Sequence, residues 1–144
     1  MSALAANSRK TLTFVDPAEY TPHFAWKRPS REKDVEHVFC ESVDLLTAAG
    51  QFGTPTYLYS SAAITDAYRE FDRGLKQIPR TICFAVKSNG NLSLLSHLAK
   101  LGSGFDIVSG GELEHLRLLG VRGDRIVFSG VGKTRYEIRY ALQY

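Results

Sequence analysis

The pattern of apolar and polar positions changes character along the chain. Through residues 1–37 no period is sustained: Pro17, Pro22 and Pro29 punctuate isolated aromatics and alternating charge, and the stretch reads as an irregular N-terminal arm. From Val38 the pattern firms into a lead-in segment, 38–60. Leu45, Leu46, Ala48 and Ala49 predict a short helix stopped by Gly50. Gly53-Thr-Pro55 signals a turn, and Thr56-Tyr-Leu-Tyr-Ser60 has strand propensity. Ile64, Ala67, Tyr68, Phe71, Leu75 and Ile78 then fall at helical spacing, with Ser60 or Ser61 to cap the helix and Pro79 to stop it.

Five continuous apolar residues follow, Ile82 to Val86, closed by Lys87 and the turn Ser-Asn-Gly90. A short run of this kind with β-branched and aromatic members reads as a strand buried on both faces. A buried helical segment is the other reading, disfavoured by the shortness of the run and by Pro79 just before it. Beyond Lys87 the chain becomes regular. Leu94, Leu95, Leu98 and Leu101 mark a helix capped by Asn91 or Ser93 and ended by Gly102. Phe105–Ser109 is a strand, and Gly110-Gly111 opens a helix with Leu113, Leu116 and Leu119 that ends at Gly120. Ile126–Ser129 is a third strand, and Thr134-Arg-Tyr-Glu137 has the spacing of a capping box at the start of a further helix.

Strands recurring roughly every 20 to 24 residues with helices between them are the length of compact βα units and predict a parallel α/β sheet or barrel. A complete (β/α)₈ barrel needs about 250 residues, so three units form either a small open sheet or the front part of a longer enzyme. Each strand ends in a polar residue, Lys87, Ser109 or Ser129. In parallel α/β folds the carboxyl ends of the strands form the functional face.

Composition narrows the function classes. The chain has 144 residues, a formal net charge of +3 and the make-up of an ordinary globular domain. Its basic residues are scattered apart from a mild cluster between Lys27 and Lys33, so no nucleic-acid footprint is expected. The N-terminus lacks the apolar core of a signal peptide, and Leu45 to Thr65 is too broken by Gly50, Gly53 and Pro55 to span a membrane. Cys40 and Cys83 match no metal or CxxC spacing, and a reduced, cytoplasmic setting is expected. No metal site is expected: the four histidines show no ligand spacing and read as surface or packing residues.

The chemistry centres on Lys87. Burial at the end of a strand lowers the pKa of an amine toward neutrality, the condition for a lysine that forms a Schiff base. The plainer reading is a packed stem with its ammonium in water. Asp106 lies 19 positions on, in the next strand, and Glu112 stands at the following helix start. Together they suit a cationic cofactor ring; a structural ion pair and a carboxylate favoured by the helix dipole suit them as well. Gly130-Val-Gly-Lys-Thr134 invites a phosphate-loop reading but has Val127 where that motif needs its first glycine. Gly102-Ser-Gly104 precedes its strand and lacks the third glycine of a dinucleotide fingerprint. Gly110-Gly111 suits an anion less well than tight packing, because Glu112 shares the first turn.

These blocks resemble a known family. Phe84-Ala-Val-Lys-Ser-Asn89 resembles the Schiff-base lysine motif of the fold type III pyridoxal-phosphate-dependent decarboxylases, which include the diaminopimelate, ornithine and arginine decarboxylases. Gly104-Phe-Asp-Ile-Val-Ser-Gly-Gly-Glu112 is similar to the next block, and Phe128-Ser-Gly-Val-Gly-Lys-Thr134 to the third. Phe39-Cys-Glu41 and Phe52-Gly-Thr-Pro-Thr-Tyr-Leu-Tyr-Ser60 resemble the opening of the diaminopimelate branch in particular.

The resemblance implies a (β/α)₈ barrel joined to a β-sandwich domain. Residues 61–144 would be the first part of the barrel, and 38–60 would include a strand of the sandwich. It implies pyridoxal 5′-phosphate as cofactor, bound by Lys87, Asp106 and Glu112, with Lys87 also catalytic. It implies loss of carbon dioxide from a small amino acid, which for this branch turns meso-diaminopimelate into L-lysine, in a homodimer. A sibling activity on ornithine, arginine or carboxynorspermidine and a non-catalytic half-barrel that binds a partner are the alternatives. The family's later histidine, glycine-rich phosphate site, ring-nitrogen glutamate and sandwich residues have no counterpart in these 144 residues. The chain by itself is therefore expected to be inactive.

Overall fold

The computed structural model describes residues 22–29 and 35–144; most of the expected arm lies outside the described residues. The chain forms two compact units that divide between Leu58 and Tyr59.

The first unit is a small antiparallel sheet with one helix. Strands β1 (Phe24–Lys27), β2 (His37–Cys40) and β3 (Val43–Asp44) lie in the order β1-β2-β3, with Trp26 opposite Val38 and Cys40 opposite Val43. β1 falls inside the stretch read as irregular. Four residues with two aromatics carry too short an alternation to register as a period, and the strand is made by its pairing with β2. Helix α1 (Leu45–Phe52) is capped by Asp44, whose Oδ1 accepts from Leu46 N at 2.9 Å while Oδ2 lies 2.8 Å from His37 Nδ1. The helix runs through Gly50, where it was expected to stop, and ends at Gly53, whose φ of +84° favours glycine. A mid-helix glycine costs only about 1 kcal/mol against alanine and does not by itself end a helix. Thr56–Ser60 is not a strand: no described residue pairs with it, and propensity alone makes no ladder.

The second unit alternates helices with parallel strands. Helix α2 (Ser61–Gly74) is capped by Ser60, whose Oγ accepts from Ala63 N at 2.9 Å. It ends at Gly74, short of Ile78, because the glycine breaks it before Pro79 can. Then come β4 (Cys83–Ala85), a tight 3₁₀ turn (Val86–Ser88), α3 (Leu92–Leu101), β5 (Gly104–Ile107), α4 (Gly110–Leu118), β6 (Ile126–Phe128) and α5 (Arg135–Gln143). The sheet order is β4-β5-β6, all parallel. Asn91 caps α3 as expected, Ser109, read from the sequence only as the end of its strand, caps α4, and Thr134 with Glu137 closes a full capping box on α5.

Register assigns the two faces of this sheet. Phe84, Phe105 and Ile126 share one row, and Ile107 pairs with Phe128. Phe105 and Ile107 are fully buried with Val86, Leu95, Leu98, Leu113, Leu116 and Val121 beneath the helices. Side chains alternate along a strand, so Cys83 with Gly104, and Ala85 with Asp106 and Val127, form the opposite face. Val127 on that face is half exposed. The strand expected to be buried on both faces is thus an edge strand among the described residues, and Cys83, Phe84 and Ala85 are only partly buried. Val86, at its end, is the residue that enters the core.

Candidate active site

Lys87 sits in the turn that closes β4. The backbone around it is tightly held. Val86 anchors the turn in the core, Ser88 Oγ donates to Ala85 O at 2.7 Å, and Asn89 N donates to Val86 O at 3.0 Å. Asn89 Oδ1 accepts from Asn91 N at 3.0 Å, and Asn91 Oδ1 in turn caps α3 through Ser93 N and Leu94 N at 2.9 and 3.2 Å. The side chain itself is exposed. The desolvation invoked for this amine is therefore missing here, because the apolar run spends its buried position on Val86 and turns outward one residue later. What the structure supplies is a rigid pedestal.

Asp106 is the third of the four residues of β5, beside Ala85 on one side and Val127 on the other. Its Oδ1 is buried and has no hydrogen-bond partner among the described residues. A buried acceptor left unmade costs about 1–3 kcal/mol, so the sheet carries this carboxylate at a penalty. Its neighbour Cys83 feels it: burial first, and then the Asp106 charge, push the Cys83 thiol up. Lys87 and Asp106 stand at the carboxyl ends of adjacent strands, and no ion pair between them occurs among the described residues.

Glu112 behaves differently. Its Oε2 accepts from Val108 N at 2.8 Å, and its own N donates to the Ser109 cap at 3.3 Å. It braces the turn between β5 and α4. The Gly110 N–H, considered for an anion, donates at 2.8 Å to Glu137 Oε1 instead. That tie across two loops had no signal in the sequence beyond the capping-box spacing that places Glu137. Lys133 also turns inward: its Nζ donates to Ser129 O at 3.0 Å and to Gly130 O, and lies 5.3 Å from the Phe128 ring centroid. The Gly-Val-Gly-Lys loop satisfies itself and forms no phosphate cradle.

Of the histidines in this unit, His97 Nε2 meets Thr65 Oγ1 at 2.8 Å, while His115 Nδ1 is buried without a partner among the described residues and packs against Gly90. No group of side chains able to hold a metal occurs among the described residues, nor a helix long and apolar enough to cross a membrane. A cleft of about 580 Å³ lies among the residues flanking the amino ends of the strands. Its charges are matched, Arg80 to Asp72 at 2.6 Å and Arg122 to Asp124 at 2.5 Å, with Arg125 donating to Gly102 O.

Lys87 on a held turn and Asp106 on the next strand thus lie toward the carboxyl ends of parallel strands, where α/β folds usually place their ligands. The chain belongs to the pyridoxal-dependent decarboxylases: the family model described as "Pyridoxal-dependent decarboxylase, pyridoxal binding domain" matches residues 61–144. The curated relatives include a diaminopimelate decarboxylase of Pseudomonas fluorescens, 56% identical over 106 residues, covering 74% of this chain and 26% of that one. Another, of Aquifex aeolicus, is 40% identical over 124 residues and covers 86% and 27%. Among solved structures, a diaminopimelate decarboxylase of M. jannaschii shares a TM-score of 0.74 at 32% identity, covering 83% of this chain and 27% of that one. One of Helicobacter pylori complexed with L-lysine has a TM-score of 0.66 at 42% identity, covering 69% and 25%. The chain spans about a quarter of the length of the relatives it matches.

Proposed function

We propose that the chain is the N-terminal portion of a pyridoxal-phosphate-dependent decarboxylase that converts meso-diaminopimelate to L-lysine, and that its βα units are the first part of a (β/α)₈ barrel. The observation that carries this reading is the pairing of β4 with β5, which aligns Ala85 with Asp106 and sends the Lys87 turn out of the sheet at the same end. The orphaned Asp106 oxygen supports a cationic ligand group there: a protonated nitrogen would supply the donor that the protein lacks. Curated relatives named diaminopimelate decarboxylase, at 40% to 56% identity, support the substrate.

Lys87 and Asp106 would hold pyridoxal 5′-phosphate. When bound, the cofactor offers a sink for the electron pair left as carbon dioxide departs. Lys87, on its fixed turn and with an exposed side chain, is free to bond a carbonyl carbon. Asp106 orients a positive ring nitrogen or ammonium from the neighbouring strand. Glu112 would serve the site by bracing Val108, two residues past Asp106. The same reading carries a cytoplasmic homodimer acting on a small amino acid, with residues 38–60 leading in from a sandwich domain.

The test grafts residues 38–144 onto the remainder of the Pseudomonas fluorescens relative and measures carbon dioxide and lysine release from meso-diaminopimelate, with ornithine and arginine as competitors. Activity on diaminopimelate alone, lost in Lys87→Ala, is the expected result. A folded chimera that prefers ornithine or arginine, or that keeps its activity without Lys87, overturns the assignment.

A further inference from the structure

Glu137 does more than an ordinary capping residue. It is the third residue of α5, and its Oε2 accepts from both Thr134 N and Thr134 Oγ1 at 2.8 Å, which completes the capping box. A capping box needs one carboxylate oxygen. The other, Oε1, accepts from Gly110 N at 2.8 Å, 27 residues earlier, at the first residue of α4. One carboxylate thereby ties the loop after β6 to the loop after β5. The fit is close: a Cβ on Gly110 would lie 3.1 Å from Glu137 Cγ and 3.4 Å from Oε1, so it is the missing side chain that admits the carboxylate. Backbone N–H groups of Thr134 and then Gly110 hold the Glu137 carboxyl below its ordinary range.

The tie bears on Asp106. Oδ1 of that carboxylate has no bond of its own to direct it, so its aim depends on where β5 ends. Three contacts fix that end: Ser129 N donates to Ile107 O at 2.9 Å, Val108 N to Glu112 Oε2 at 2.8 Å, and Gly110 N to Glu137 Oε1. The second is local, and the first binds the strand to its neighbour. Among the described residues, Glu137 alone reaches the loop from the following helix by a hydrogen bond. We propose that Glu137 is a positioning residue, which by clasping Gly110 holds the end of β5, and with it Asp106, in place for the reaction proposed above. The inference rests on the role given there to Lys87 and Asp106.

The clasp is tested in the 144-residue chain by a double-mutant cycle of Glu137→Gln and Gly110→Ala, followed by denaturant unfolding. Glutamine keeps one acceptor oxygen and loses the second. Alanine is the better helix former at Gly110, so without a clasp Gly110→Ala would raise stability. With it, each single change lowers the folding constant, and the double variant is no worse than the weaker single one. The expected coupling is about fivefold, or about 1 kcal/mol. Additive effects overturn the clasp.

Positioning is read separately, by treating the chain with pyridoxal 5′-phosphate, reducing with borohydride and comparing the label on Lys87 with that on the exposed Lys100. Wild type is expected to favour Lys87 by about threefold, since a neighbouring carboxylate draws the cationic ring. Folded Glu137→Gln should fall toward the ratio of Asp106→Asn. An unchanged ratio in Glu137→Gln overturns the positioning role and leaves the reading of Lys87 and Asp106 standing. Equal labelling in wild type overturns that reading and the positioning role with it, while the cycle still judges the clasp.

Discussion

Across the β4–β5 ladder, Ala85 stands opposite Asp106, so a carboxylate with one buried oxygen lies one strand away from the backbone that, two residues later, presents Lys87. The Lys87 side chain is exposed, whereas the Asp106 Oδ1 is out of water. The two members of the candidate site therefore have opposite relations to stability, and each can be tested apart from the chemistry.

Lys87→Ala is expected to leave folding stability within about 0.5 kcal/mol, because the side chain is exposed and the turn is held by Val86, Ser88 and Asn89. Denaturant midpoints of the variant and wild type check this. A loss of several times that size would mean that the stem packs, and that loss of function in the variant reports misfolding.

Asp106→Ala should stabilise the chain without cofactor by about 1 kcal/mol, since it removes a buried oxygen that has no partner. The same change should abolish activity in the completed enzyme. Unfolding of the 144-residue chain in urea, with and without the substitution, decides the matter. A destabilised variant would assign Asp106 to the scaffold.

Gly104→Ala should cost about 2 kcal/mol, at the level of an overpacked core. A Cβ there would lie 2.8 Å from Cys83 Sγ and 3.0 Å from both Arg125 O and Thr81 Cγ2. Adding Cys83→Ala relieves the shortest of these contacts but not the one with backbone, so partial recovery is the expected outcome. Thermal melts of the single and double variants measure it.

Acid should weaken the α4–α5 contact in a defined window. Hydrogen bonds from Arg117, and then from Tyr140, lower the Glu114 pKa from 4.5 to about 2. Arg117 Nη2 and Nε lie 2.6 and 2.9 Å from the carboxylate, and Tyr140 Oη lies 2.5 Å from it. A folded-state pKa below the unfolded one contributes stability that is fully present above 4.5 and is lost as pH falls through about 2. The gap in unfolding midpoint between wild type and Glu114→Gln should therefore be constant near neutrality and close between pH 4.5 and 2. A gap that stays constant across that range would show that the ion pair does not set the Glu114 titration.

The sequence makes the second unit largely legible because its signals are local. Asn91 and Thr134 announce helix starts through their own side chains, and the leucines of α3 and α4 carry a clean period. Features that depend on a distant partner are not legible. Thr56–Ser60 has the residues of a strand but no neighbour to pair with, and β1 has a neighbour but too few residues to show a pattern. The position of Lys87 is readable from its apolar run, whereas its exposure depends on β4 being an edge strand, which no stretch of that run encodes. Asp106 and Glu112 look alike in sequence, as carboxylates near a strand end. They part in the structure because Val108 N is within reach of one, while among the described residues no donor reaches the buried Oδ1 of the other.

The alternation along β5 has a further consequence, for folding fidelity. Phe105 and Ile107 fill the core while Gly104 and Asp106 take the opposite face, so a slip of one residue would drive the carboxylate under the helices and expose the phenyl ring. No sheet slipped by one residue can keep a sound core and a misplaced carboxylate together. Any pressure that preserves the packing of this unit, even one blind to catalysis, also proofreads the address of Asp106.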